Sequence, residues 1–161
     1  MSLGMPGVVS TDETTIPLAE LYRLDFHAWC LRVAELLADG ETSRLDADHL
    51  REEIESLAGR DEREVISRMK RIIQHLLKLQ YQPARRSKSW HATLVNQRGE
   101  LAALLEQSPS LVGVAERGVT RAYKLARRLT AIETGLPPEA FPSECPYATG
   151  QIFDPEFEPG G

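Results

Sequence analysis

The segment from Val65 to Leu79 fixes the fold class. Val65, Met69, Ile72, Leu76 and Leu79 recur in alternating steps of four and three, and Ile66, Ile73 and Leu77 widen the stripe. Side chains at that spacing share one face of an α-helix. So wide a stripe asks for neighbours on more than one side, so the spacing predicts a central helix over about Asp61–Gln80.

The same period recurs along the chain. Tyr22, Phe26, Trp29, Val33 and Leu36 predict a first helix over about Leu18–Ala38, stopped by Asp39-Gly40. Leu50, Ile54 and Leu57 predict a second, with Asp46 as a cap and Ala58-Gly59-Arg60 as a break or kink. Pro83 ends the central helix because it lacks an N–H donor. Ser87 or Ser89 caps a fourth helix with the stripe Trp90, Leu94, Leu101, Leu104 and Leu105. Ser108 as cap and Pro109 at the first helical position open the last. Its stripe is Leu111, Ala115, Gly118, Ala122, Leu125, Leu129 and Ile132, and Gly135 is placed for a left-handed cap.

No strand pattern and no internal repeat is visible. The expected architecture is all-α: a compact bundle of four to five helices with an irregular, Pro-rich C-terminal segment. Phe141, Tyr147, Ile152, Phe153 and Phe157 make that segment too aromatic for a simple disordered tail, so at least Leu136–Phe153 is expected to lie on the bundle. The expected organisation is an arm over 1–17 (Met1–Leu3 as an expression scar, Met5 as the native start), one domain over 18–153 and a flexible acidic tail over 154–161.

A chain of 161 residues that is 42% hydrophobic and 27% charged can bury a core without disulfides or metals. No apolar run approaches the roughly 20 residues that cross a bilayer, and no signal peptide is recognisable. Cys30 and Cys145 form neither a disulfide framework nor a metal-type spacing. These features point to a cytoplasmic protein with reduced thiols and no membrane partner. The net charge of −5 is unevenly spread. Val65–Gly99 has no acid, and no Lys or Arg follows Arg128. Such asymmetry marks either an anion-binding face or acidic parts that fold against the basic one.

Several runs resemble one family. Tyr22-Arg-Leu-Asp-Phe-His-Ala-Trp29, HLREEIESL, HLLKLQYQPARRSKSW, SPSL, ETGLP and FPSECPY occur in order over about Leu18–Phe157. Together they resemble the bacterial family "domain of unknown function 29". The resemblance implies an all-helical fold and no assigned activity. His91 departs from the family's pattern, in which Arg or Lys more often follows the Trp.

Candidate chemistry is sparse. His49 and Glu53 stand one helical turn apart, but the chain has no Glu-x-x-His pair of the kind that builds a di-metal bundle site, so a solvated surface pair is expected and no metal or cofactor. Arg86 and His91 have the Arg-x4-His spacing of small helical bacterial ribonucleases, with His91 as acid/base and Arg86 on the phosphate. No phosphate loop, nucleophile elbow or Cys/His pair is present. Arg85, Arg86 and Lys88 form a basic loop that suits phosphate or RNA, or that clamps the acidic C-terminal segment. His75 and Gln97 are polar residues in or beside apolar stripes, candidates for a pocket between helices. The reading taken is a non-enzymatic module with a protein partner. The alternatives are a nucleic-acid binder or ribonuclease using the loop over 83–91, and an enzyme whose site is assembled between helices. The wide central stripe suits a monomeric bundle or a dimer equally.

Overall fold

The computed structural model describes residues 16–160. The expected arm and its scar therefore lie outside the described residues, except for Ile16 and Pro17. The described chain is all-α. It contains α1 (Leu18–Leu24), α2 (Phe26–Ala38), α3 (Ala47–Tyr81), α4 (Lys88–Gln107), α5 (Leu111–Thr134) and α6 (Thr149–Phe153), with 3-10 turns at Thr42–Arg44, Pro83–Arg85 and Pro138–Ala140. None of these helices is long and apolar enough to cross a membrane.

The helix boundaries differ from expectation in three places, for local reasons. The expected first helix is divided at Asp25, whose backbone leaves the helical region at φ −150° and ψ 89° and whose carboxylate accepts the Ala28 N–H at 2.9 Å. Aspartate competes for backbone donors in this way, so it favours a cap over a helix interior. The expected break at Gly59 is absent, and α3 runs unbroken for 35 residues. Glycine costs a helix interior only about 1 kcal/mol and keeps its N–H, so flanking turns carry the helix through. Elsewhere, Ser87 caps α4 by accepting the Trp90 N–H at 3.3 Å. The expected start of α5 is displaced: the helix begins at Leu111 rather than Pro109, because Ser108–Ser110 form a turn in which the Ser108 carbonyl, not its hydroxyl, accepts the Leu111 N–H at 3.0 Å. Gly135 closes α5 with φ 72°.

The chain groups into two compact units, Met1–Ser56 and Leu57–Gly161, whose boundary falls within α3. In the first, Trp29, Val33 and Leu36 of α2 are buried. Tyr22 bridges to the start of α3, stacking on the His49 ring at 4.1 Å and donating its hydroxyl to Glu53 at 2.7 Å.

In the second unit the central stripe of α3 is the core. Val65, Met69, Ile72, Ile73, Leu76, Leu77 and Leu79 are all fully buried. Leu94 and Leu101 of α4 and Leu111, Ala115, Ala122, Tyr123 and Ala126 of α5 complete it. Helices α3 and α5 run parallel: Ile66 meets Gly118, Gln74 and Lys78 reach Glu133, and Gln82 reaches the Thr134 carbonyl. The C-terminal segment joins this core through Phe141, Tyr147 and Ile152. Tyr147 also donates its hydroxyl to Gln80 at 2.6 Å. Residues 154–160, expected as part of a flexible tail over 154–161, are docked as well: Pro159 is buried and Phe157 half-buried.

The α5 stripe is only half used. Leu111, Ala115, Gly118 and Ala122 are buried, whereas Leu125, Leu129 and Ile132 are 43%, 37% and 76% exposed. The C-terminal half of α5 turns Tyr123, Ala126 and Thr130 inward instead.

Candidate functional site

The basic loop is drawn into the protein's own C-terminal segment. Arg86 donates to the Pro159 carbonyl at 2.8 Å and to the Leu79 carbonyl at 3.4 Å, and stands 4.0 Å from the Glu158 carboxylate. His91 Nδ1 lies 2.7 Å from the same carboxylate. The Arg-x4-His pair thus converges on an internal anion. Arg85 and Lys88 remain exposed. Trp90 is half-buried against the core, with the Lys78 ammonium 4.6 Å from its ring centre.

The other candidate residues are not brought together. His75 Nδ1 lies 2.9 Å from the Arg71 carbonyl, and burial holds the imidazole below its ordinary pKa. Gln97 is 8% exposed and accepts from Arg68 at 3.4 Å. His49 and Glu53 take separate partners, Asp46 and Tyr22. The Glu53 carboxylate pushes the Tyr22 phenol up to about 12. Among the described residues, no group of three or more His, Cys, Asp or Glu side chains could hold a metal ion.

A groove between α3 and α5 gathers cations that have no ion-pair partner among the described residues. It lies within the second unit, encloses about 670 Å³, and has an apolar floor of Ile66, Val114, Gly118 and Leu125. Its rims carry Arg63 and Lys70 from α3 and Arg117 and Arg121 from α5, against one acid, Glu62. The ion pairs of this unit run elsewhere, through Arg68, Lys78, Arg86 and His91. By contrast, the hollow of about 650 Å³ in the first unit holds Arg32 and Glu35, which neutralise each other at 3.0 Å.

Glycine shapes both rims. A Cβ at Gly118 would stand 2.0 Å from the Ile66 Cδ1, so glycine there allows the close approach that forms the groove floor. A Cβ at Gly59 would meet the Arg63 Nη1 at 3.1 Å, and one at Gly113 would meet the Arg117 Nη1 at 3.1 Å. Each guanidinium therefore lies back along its own helix over a glycine one turn earlier. Because α3 and α5 are parallel, the two Gly-x3-Arg pairs stand at similar heights. The basic rim extends beyond the groove: Arg117, Arg121, Lys124 and Arg128 recur in steps of four and three, all exposed, beside the open stripe Leu125, Leu129 and Ile132.

Sequence reading missed these cations because it followed the density of charge along the chain. The matching Gly-x3-Arg spacings at Gly59 and Gly113, and the basic flank of α5, were the available signals.

The family described as "Domain of unknown function DUF29" matches the chain over residues 21–158, nearly its whole length. No curated protein and no solved structure matches it.

Proposed function

The chain belongs to the DUF29 family, whose description names no function, and from that premise we propose that it is a helical protein-interaction module with the α3–α5 groove as its partner surface. One observation carries this reading: an apolar floor, continuous with the exposed stripe Leu125–Leu129–Ile132, runs between two rims of unpaired cations. The complementary partner is an amphipathic helix whose apolar stripe is flanked by carboxylates. Burial of the stripe supplies affinity, and the paired charges supply orientation and association rate.

The test is fluorescence anisotropy with a labelled helical peptide, its Leu/Ile stripe flanked by Glu in steps of four and three. Micromolar binding that weakens steeply with salt is expected, and Arg117→Glu/Arg121→Glu raises Kd at least about tenfold. No binding at low salt overturns the reading. The nucleic-acid reading, centred on the loop over 83–91, retains Arg85 and Lys88 as free cations once Arg86 is bonded to the C-terminal segment. A labelled RNA that binds through Arg85 and Lys88, and not through Arg117 and Arg121, would replace the groove with that loop.

A further inference from the structure

We propose that the helix received by this groove carries a phosphoserine or phosphothreonine, whose phosphate is gripped between Arg63 of α3 and Arg117 of α5. The inference rests on the reading of the groove just given and names the chemistry that its partner presents there.

The two helices meet where Ile66 packs against Gly118. At about 100° per residue, Arg63 and Lys70 lie about 60° and 40° round α3 from Ile66. Arg121 and Arg117 lie about 60° and 100° round α5 from Gly118, in the opposite sense. Because the helices are parallel, opposite senses open to the same side, so all four cations flank one groove. Val114 and Leu125, about 40° and 20° from Gly118 in that same sense, supply its floor. Glu62 falls about 40° to the other side of Ile66. Height then sorts the cations into two tiers. Arg63 stands three residues before Ile66 and Arg117 one residue before Gly118, so at about 1.5 Å per residue they differ by about 3 Å in height. Lys70 and Arg121 stand four and three residues beyond the contact and differ by about 1.5 Å.

The lower tier sets two guanidiniums on opposite rims of the groove. Each is laid back over its own glycine, Gly59 or Gly113, where a Cβ would stand 3.1 Å from the arginine Nη1. Neither has an ion-pair partner among the described residues. A carboxylate offers two oxygens in one plane, and a single guanidinium fork takes up both. A phosphate monoester carries nearly two negative charges and three terminal oxygens around a tetrahedral centre, so it accepts from a fork on each side. Two facing arginines therefore match a phosphate better than any one acidic side chain. Lys70 and Arg121, in the upper tier, remain for carboxylates farther along the same partner helix.

The test is a titration of the full chain with three versions of the labelled acidic peptide at one ionic strength. They carry at one flanking position a phosphoserine, an unmodified serine, or a Glu beside a second Glu that matches the phosphate's charge. The phosphoserine peptide is expected to bind at least about tenfold tighter than the charge-matched one, and the serine peptide most weakly. Arg63→Lys/Arg117→Lys keeps both charges and removes both forks. It should cut the phosphoserine advantage to below about threefold and leave the charge-matched peptide within about threefold of its native Kd. Arg63 and Arg117 are exposed, so helical circular dichroism is retained in the variant. A phosphoserine peptide no tighter than the charge-matched one overturns the proposal, as does an advantage that survives the double substitution. If the charge-matched peptide still binds in either case, the groove reading stands and only the phosphate is lost. If no peptide binds and a labelled RNA binds through Arg63 and Arg117 instead, both fall.

Discussion

Arg98 is 4% exposed and donates to four backbone carbonyls, those of Gln151 and Ile152 at 3.0 Å, Phe157 at 3.0 Å and Pro155 at 3.4 Å. The planar five-donor fork reaches several acceptors that a lysine ammonium, a point charge, cannot span together. Arg98→Ala removes all four bonds and leaves the buried Ile152 carbonyl unpaired, so the expected loss is about 1–3 kcal/mol. Arg98→Lys recovers only part of it. Urea unfolding reads the loss directly, and an unchanged midpoint would refute it. His75 acts through pH. Burial disfavours its imidazolium, with the Lys78 charge adding to the effect, so its pKa in the folded state lies below the ordinary 6.5. As pH falls through 6.5 the unfolded chain takes up the proton first. The stabilisation from neutral His75 is therefore complete above that pH and lost below it, down to the folded-state pKa. His75→Leu should flatten the fall in stability below about pH 6.5, and a slope equal to that of the native protein in a pH series of urea melts would count against the account. At this scale the sequence flagged His75 and Gln97 as polar residues near apolar stripes. It passed over Arg98, because a cation beside Leu94 and Leu101 reads as surface until the carbonyls that surround it are known.

Helix α3 is where local preference and packing diverge most. Its C-terminal half was legible, since every residue of the predicted stripe from Val65 to Leu79 is buried except Ile66, which is half-buried in the groove floor. Its passage through Gly59 was not, because a glycine reads as a break unless neighbouring turns are known to hold. The only side-chain contact waiting at Gly59 is the mobile end of Arg63. Gly59→Ala should therefore stabilise the protein by about 0.5–1 kcal/mol, the ordinary gain of alanine over glycine in a helix. It should also displace the Arg63 guanidinium and weaken binding of the acidic peptide. A thermal melt and a peptide titration on the same variant check both, and a lowered Tm would refute the first. Helix α5 shows the converse limit. Its stripe was read correctly as a face, but burial of that face ends after Ala122. Periodicity shows which residues share a face, and only the neighbours show how far along it they reach.

For the unit Leu57–Gly161 the C-terminal segment is part of the core. Phe141, Tyr147 and Ile152 are 2%, 5% and 0% exposed. Burial of three such side chains contributes roughly 1.5–3 kcal/mol each, a large share of the 5–15 kcal/mol typical of a whole domain. A chain ending at Ala140 is expected to lose its cooperative urea transition, and retention of that transition at the native midpoint would show the segment to be dispensable. The aromatic content of GLPPEAFPSECPYATGQIF was enough to predict that it packs. The sequence by itself determined the all-α class, the central helix, a serine cap at Ser87 or Ser89, the Gly135 cap and the docking of this segment. Each follows from hydrophobic period, capping chemistry or apolar content, which act over a few residues. Tertiary structure alone decided that Arg86 and His91 meet Glu158, that Arg98 is buried, and that Arg63, Lys70, Arg117 and Arg121 line one groove. Those outcomes depend on which helices become neighbours and at what height, and pairwise distances between remote residues are set only when the whole core packs.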